Sequence, residues 1–218
     1  MAANPQPLTP ESFRAETGVS RATLRRLETY ASLLGKWQRT INLVGAGTLE
    51  DMWRRHYLDS AQLAGLVPPD AGVWIDLGTG AGLPGMVLAI MGVGEVHLVE
   101  SDQRKCAFLA EVARATDTRV KIHAERAEDL DPLGLAPGGA DVVTARAVAP
   151  LSALLRLASR FGGPGTTYLV LAGRDATAAL TKARKSWTLS AESLPSKTDP
   201  DSVVLRIRDL ARHGAAES

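Results

Sequence analysis

Four glycines fall within eight residues, at Gly78, Gly80, Gly82 and Gly85, between the apolar runs VWIDL and MVLAI. Glycine tolerates both a sharp strand-to-helix turn and the close approach of a ligand to the backbone. Asp76 sits at the end of the first run, where a carboxylate can face a cationic group. Glu100 closes the next β-like run, EVHLVE, and a carboxylate there can accept both hydroxyls of a ribose. Arg146 ends a later run, ADVVTAR, beside the same edge; it can hold an oxygen through directed hydrogen bonds but stays protonated and cannot act as a base. Upstream, WRRHYLDS offers Arg55, His56 and Asp59. On a regular helix Arg55 and Asp59 are i,i+4 neighbours and His56 and Asp59 are i,i+3 neighbours. That spacing fits an acid/base pair, a helix-surface ion pair beside a packed histidine, or, with Arg54, a grip on phosphates.

These residues need elements to hold them. The runs VWIDL, EVHLVE, RVKIHAE, ADVVTA and TTYLVLA read as strands. Between them LPGMVLAIM, DQRKCAFLAEVARA, ERAEDLDPLG and PLSALLRLASRF read as helical. The alternation predicts an α/β fold with a mostly parallel sheet covered by helices on both faces. SWTLSAE and SVVLRIR, joined by a proline-containing loop without a helix, predict antiparallel pairing at the end of the sheet. Before residue 71 the texture is helical: Ser20 is a candidate N-cap ahead of Leu24, Leu27, Ala31, Leu34 and Trp37. Thr48 and Asp51 then start a further helix that stops before Pro68-Pro69. The expected division is a helical extension over 1–70 and a cofactor-binding domain over 71–218.

The glycines fit two frames. Gly80 to Gly85 reads G-x-G-x-x-G, the dinucleotide fingerprint. Asp76 to Gly82 reads acid-x-G-x-G-x-G and is similar to motif I of the class I S-adenosylmethionine (SAM) methyltransferases. Three features favour the second frame. Asp76 would repel a pyrophosphate, Pro84 lacks the N–H that a phosphate at a helix start would take, and no second domain is left to hold a dehydrogenase's substrate. The alternatives are an NAD-dependent oxidoreductase on the same sheet and a non-catalytic SAM-binding regulator.

The 218 residues carry a formal net charge of +1, so an RNA-binding role would need local positive patches rather than overall basicity. One cysteine excludes an internal disulfide and makes the cytoplasm the expected compartment. The N-terminus lacks the apolar core of a signal peptide. The stretch near Met86–Val93 is too short for a bilayer, which takes about 20 residues. No metal-ligand spacing is present, and a monomer is expected.

Several segments together resemble the ribosomal small-subunit methyltransferases G (the RsmG or GidB family). They are INLVGAGTLEDMWRRHYLDS, IDLGTGAGLPGMVLAI, HLVESDQRKCAFLAEV, RAEDL and ADVVTARAVAPL, spanning roughly residues 41–152. The resemblance implies a class I Rossmann-like fold and transfer of a methyl group from SAM to N7 of a guanosine in 16S rRNA of the small ribosomal subunit. It places cofactor contacts at Gly78, Leu83, Ala127, Glu128 and Arg146, beside the candidates Asp76, Gly80, Gly82 and Glu100. Asn42, Arg55 and His56 become candidates for the substrate side. Guanine N7 carries an in-plane lone pair, so no catalytic base is required and no catalytic residue is assigned. Two departures stand out. Ala172 occupies a place where the family usually has lysine, a loss that Arg174 could cover, and Val44 stands where threonine is common.

Overall fold

The computed structural model describes residues 6–146 and 150–213; Ala147–Ala149 of the ARAVA motif lie outside them. Seven strands form one sheet: β1 (Val73–Leu77), β2 (Glu95–Val99), β3 (Lys121–His123), β4 (Ala140–Arg146), β5 (Gly162–Ala172), β6 (Trp187–Pro195) and β7 (Val203–Arg212). Their order is β3-β2-β1-β4-β5-β7-β6. All neighbours are parallel except the β5–β7 and β7–β6 pairs, so β7 alone runs against the rest. The chain builds outward from β1 to β3, then returns to lay β4 on the other side of β1. That reversal opens a crevice at the carboxyl ends of β1 and β4, where open α/β sheets bind ligands. Asp76 and Arg146 stand on the two strands that flank it.

Strand alternation explains the two cores. Trp74 and Val142 point to one face, among residues of α1 (Pro10–Thr17), α2 (Arg21–Trp37), α4 (Gly85–Met91) and α5 (Gln103–Ala115). Ile75, Leu77, Val143 and Ala145 point to the other, against α6 (Pro132–Leu135), α7 (Leu151–Ala158) and α8 (Ala176–Ala183). The N-terminal helices therefore share one continuous core with Trp74, Met86, Leu98 and Phe108. Ser20 caps α2 as its type predicts, its side chain accepting from the Thr23 N–H. The stripe that α2 buries includes Tyr30 as well as Leu24, Leu27 and Leu34.

Two helical expectations change. The helix expected from Thr48 is broken into a 3₁₀ turn at Ala46–Thr48, a π-helical turn at Trp53–Leu58, the short α3 (Asp59–Ala61) and a 3₁₀ stretch at Gln62–Leu66. His56, Tyr57 and Leu58, within the π-helical turn, are all buried. The wider turn aims all three inward, a feature recurrent at functional sites. In ERAEDLDPLG only Pro132–Leu135 is helical, capped by the Asp131 side chain.

Candidate active site

The glycine turn is fixed from beneath by Asp76. Its carboxylate is buried and accepts from Gly85 N (2.9 Å), Thr144 Oγ1 (2.8 Å) and Thr79 Oγ1. Asp76 was expected to face a cationic ligand; it faces inward, because strand alternation sends it to the side where the turn and Thr144 of β4 supply donors. Burial raises its pKa to about 6, against the opposing pull of those hydrogen bonds. Its place is that of a staple tying β1, β4 and the start of α4 together.

The glycines divide into two kinds. A Cβ on Gly82 would stand 2.7 Å from Met86 Cβ and 2.9 Å from the Tyr30 hydroxyl, and one on Gly85 would stand 2.4 Å from Leu98 and 2.8 Å from Asp76 Cβ. Those positions are small because the fold packs against them. Gly78 and Gly80, at φ +64° and +58°, meet nothing nearer than 3.9 Å. They line an open cleft with a cavity volume of about 370 Å³, together with Val44, Glu100, Lys105 and Arg146. Leu83 and His56 also reach it. Tyr30 reaches across from α2 to donate to the Ala81 carbonyl, so the N-terminal helices help to shape the turn.

Glu100 stands at the rim of this cleft, just past β2. One carboxylate oxygen accepts from Gly80 N (3.0 Å) and the other from Asp102 N (2.8 Å). Each oxygen keeps a second lone pair, so the group can still accept from hydroxyls. An open glycine wall beside a carboxylate fits a nucleoside with a ribose diol, and Gly78, Gly80, Leu83 and Glu100 are the residues that could hold it.

Arg146 joins the sheet to the π-helical segment. Its guanidinium donates to Arg55 O (2.7 Å), Asp59 Oδ2 (3.0 Å) and His56 Nδ1 (3.0 Å). A proton on Nδ1 would clash with that donor, so His56 is the Nε2–H tautomer. Nε2 then donates to Thr48 Oγ1 (2.7 Å), which donates to Gly45 O (2.6 Å). Burial, then the charges of Arg146 and Arg55, depress the His56 pKa to about 3. His56 is thus a neutral strut. Asp59 pairs with Arg146, not with Arg55 or His56, because the π turn carries it off the regular i,i+4 and i,i+3 positions.

This neutrality gives a pH prediction. An unfolded histidine titrates near 6.5. His56 therefore contributes stability above that pH that is lost as pH falls from about 6.5 toward 3, because the unfolded chain binds the proton first. The stability of the wild type relative to His56→Gln should fall across that window in paired urea titrations. A difference that stays flat from pH 7 to 4 contradicts the assignment.

Other candidates lie apart. The cleft lining does not include Ala127 or Glu128; Arg160 holds their loop by donating to Ala127 O (2.9 Å), Glu128 O (2.8 Å) and Leu130 O (3.0 Å). Asn42 is exposed and accepts from Gln38 Nε2 (3.3 Å). Arg54 pairs with Asp51 (3.1 Å) and donates to Gln6 O (3.0 Å). Arg55 is exposed, with only its backbone engaged by Arg146. Arg174, a possible stand-in for the family's lysine, instead pairs with Asp201 (2.8 Å). Among the described residues no cluster of three His, Cys, Asp or Glu could hold a metal, and no helix is long and apolar enough to cross a membrane.

The model of the rRNA small subunit methyltransferase G family (GidB) matches residues 23–203. The chain belongs to that family. Ribosomal RNA small subunit methyltransferase G of Rhodospirillum centenum is 54% identical over 202 residues, 93% of this chain and 91% of that protein. The protein of the same name from Rhodospirillum rubrum is 51% identical over 205 residues, 94% of this chain and 100% of that protein. Among solved structures, a fibrillarin/Nop5p complex shares the fold at a TM-score of 0.55 and 13% identity, over 71% of this chain and 81% of that one. The methyltransferase G family uses SAM as methyl donor.

Two residues that shape this cleft, and a third that holds the neighbouring Ala127–Glu128 loop, carry no signal in the sequence. Tyr30 sits on a buried helical stripe and looks like core. Gln38 binds Leu43 N, Val44 N and Val44 O, fixing the loop that walls the cleft. Arg160, after α7, has no motif; only its three carbonyl partners reveal it.

Proposed function

We propose that this chain, acting as a monomer, transfers a methyl group from SAM to N7 of a guanosine in 16S rRNA of the small ribosomal subunit. One observation carries the reading: the groups at the junction beside the cofactor cleft are committed to one another. His56 has its Nδ1 lone pair on Arg146, Asp59 is paired with the same guanidinium, and Arg146 is permanently protonated. Such a site favours an acceptor that arrives with a lone pair, as guanine N7 does, over an amine or hydroxyl that must first lose a proton.

SAM supplies an electrophilic methyl group on a sulfonium. The chain's part is to bind and orient. Gly78 and Gly80 leave backbone open to the ligand, with Leu83 and Gly82 completing the turn, while Asp76 holds that turn from below. Glu100 accepts the ribose hydroxyls. The family resemblance assigns Ala127 and Glu128 to the adenine, beyond the lining of the cleft, on the loop that Arg160 pins. Arg146 fixes the wall between donor and acceptor, and Arg55, His56 and Asn42 belong to the RNA side.

Glu100→Ala removes charge-assisted hydrogen bonds of about 1.5–3 kcal/mol, so SAM affinity should fall roughly 10- to 100-fold. Calorimetry reads this directly, and NAD should give no heat in either protein. An unchanged SAM affinity would move the ribose elsewhere. The function itself is tested by incubating the protein with tritiated SAM and small subunits that lack the modification, then digesting the RNA to nucleosides. Radioactivity in N7-methylguanosine is expected; label in any other nucleoside, or none, overturns the reading.

A further inference from the structure

A second cleft, with a cavity volume of about 180 Å³, also borders Arg146. Arg55, Ala172, Thr198, Asp199 and Ser202 line it together with Arg146. Its outer wall is the loop between β6 and β7, which is braced at several points. Thr198 Oγ1 donates to Asp59 Oδ1 (2.9 Å), Lys197 N to Gln62 Oε1 (3.0 Å), and Arg174 to Asp201 Oδ2 (2.8 Å). Asp59 therefore holds Arg146 with one oxygen and this loop with the other. Within the loop, Asp199 Oδ1 accepts from Asp201 N (2.9 Å), and Oδ2 has no partner among the described residues.

We propose that this second cleft is the subsite for the acceptor base, and that Asp199 selects guanine by its Watson–Crick edge. The inference rests on the function proposed above. A carboxylate only accepts hydrogen bonds. Guanine offers it two donors on one edge, N1–H and the N2 amine, whereas adenine presents a bare N1 acceptor there and would leave the carboxylate facing a lone pair. N7 lies on the opposite side of the ring system. A base gripped at N1 and N2 therefore keeps N7 free, and Arg146, common to both clefts, puts the acceptor beside the donor. Ala172 leaves room in the cleft that a long side chain would occupy. A site built to hydrogen-bond particular donors discriminates strongly against a base that lacks them.

The test uses the full chain with small subunits whose 16S RNA lacks the modification. Methyl incorporation from tritiated SAM is measured against subunit concentration for the wild type, Asp199→Ala and Asp199→Asn. SAM affinity is measured by calorimetry, and thermal melting is followed alongside. Both variants should lose about 10- to 100-fold in kcat/KM for the subunit, with SAM affinity and melting within error of the wild type. Subunits rebuilt with inosine at the methylated position, which lacks the N2 amine, should be poorer substrates for the wild type but carry no added penalty for Asp199→Ala. The proposal is overturned if either variant keeps kcat/KM within twofold, if SAM affinity or melting falls in proportion, or if inosine costs both proteins equally. If the wild type itself methylates no subunit, the functional reading fails with it; if the wild type methylates and the variants do too, this inference alone fails.

Discussion

Arg146→Ala is expected to cut methyl transfer by more than about 100-fold, since a misplacement of about 1 Å at a reacting pair has that scale. The side chain is about a third exposed, yet it makes two hydrogen bonds to the π-helical turn and one to Asp59 at the start of α3, and none within its own strand. Removing it frees the wall between the two clefts and leaves Asp59 without its counter-charge. The loss of folding stability should be modest, about 1–2 kcal/mol, because Asp59 keeps Gln62 and Thr198 and water can reach the site. Arg146→Lys should recover only part of the activity: an ammonium is a point charge and does not span His56, Asp59 and the Arg55 carbonyl as a planar fork does. Single-turnover rates together with urea unfolding check this. Activity lost only in proportion to stability would make Arg146 a structural ion-pair partner.

Gly82→Ala should be the most damaging single methyl addition in the turn. It combines a φ of +90°, where an L-residue is strained, with a Cβ within 3 Å of Met86, Leu109 and Tyr30. Strain and overpacking at about 1–3 kcal/mol each predict a loss of roughly 2–6 kcal/mol, enough to unfold a protein of ordinary stability. Gly78→Ala carries the strain without the collision, because its Cβ points into the open cleft. That variant should stay folded and lose SAM affinity. Melting and calorimetry on the two variants separate the roles; equal destabilisation would mean that Gly78 is also a packing glycine.

Much of this was legible in the sequence. The alternation of β-rich and helical runs leads to the parallel sheet, and the absence of a helix between SWTLSAE and SVVLRIR leads to the antiparallel β7. The position of Arg146 at a strand end beside the crevice followed from the same pattern. The side on which Asp76 points did not, since it depends on which face of β1 carries donors, and Thr144 lies 68 residues away. The π-helical turn was equally hidden: WRRHYLDS has good helical composition, and nothing in its letters marks the wider turn that holds the buried His56, Tyr57 and Leu58. Glycine roles were mixed in the motif. Letters alone do not tell Gly82 and Gly85, crowded by side chains, from Gly78 and Gly80, open to a ligand.

The proposed reaction is methyl transfer to guanosine N7, with Arg146 fixing the wall between donor and acceptor. Mass spectrometry of 16S rRNA tests it most directly, comparing cells that have this protein, cells that lack it, and cells given back only the Arg146→Ala form. One N7-methylguanosine is expected in the first, its absence in the second, and little or no recovery in the third. The same modification pattern in cells with and without the protein would contradict it.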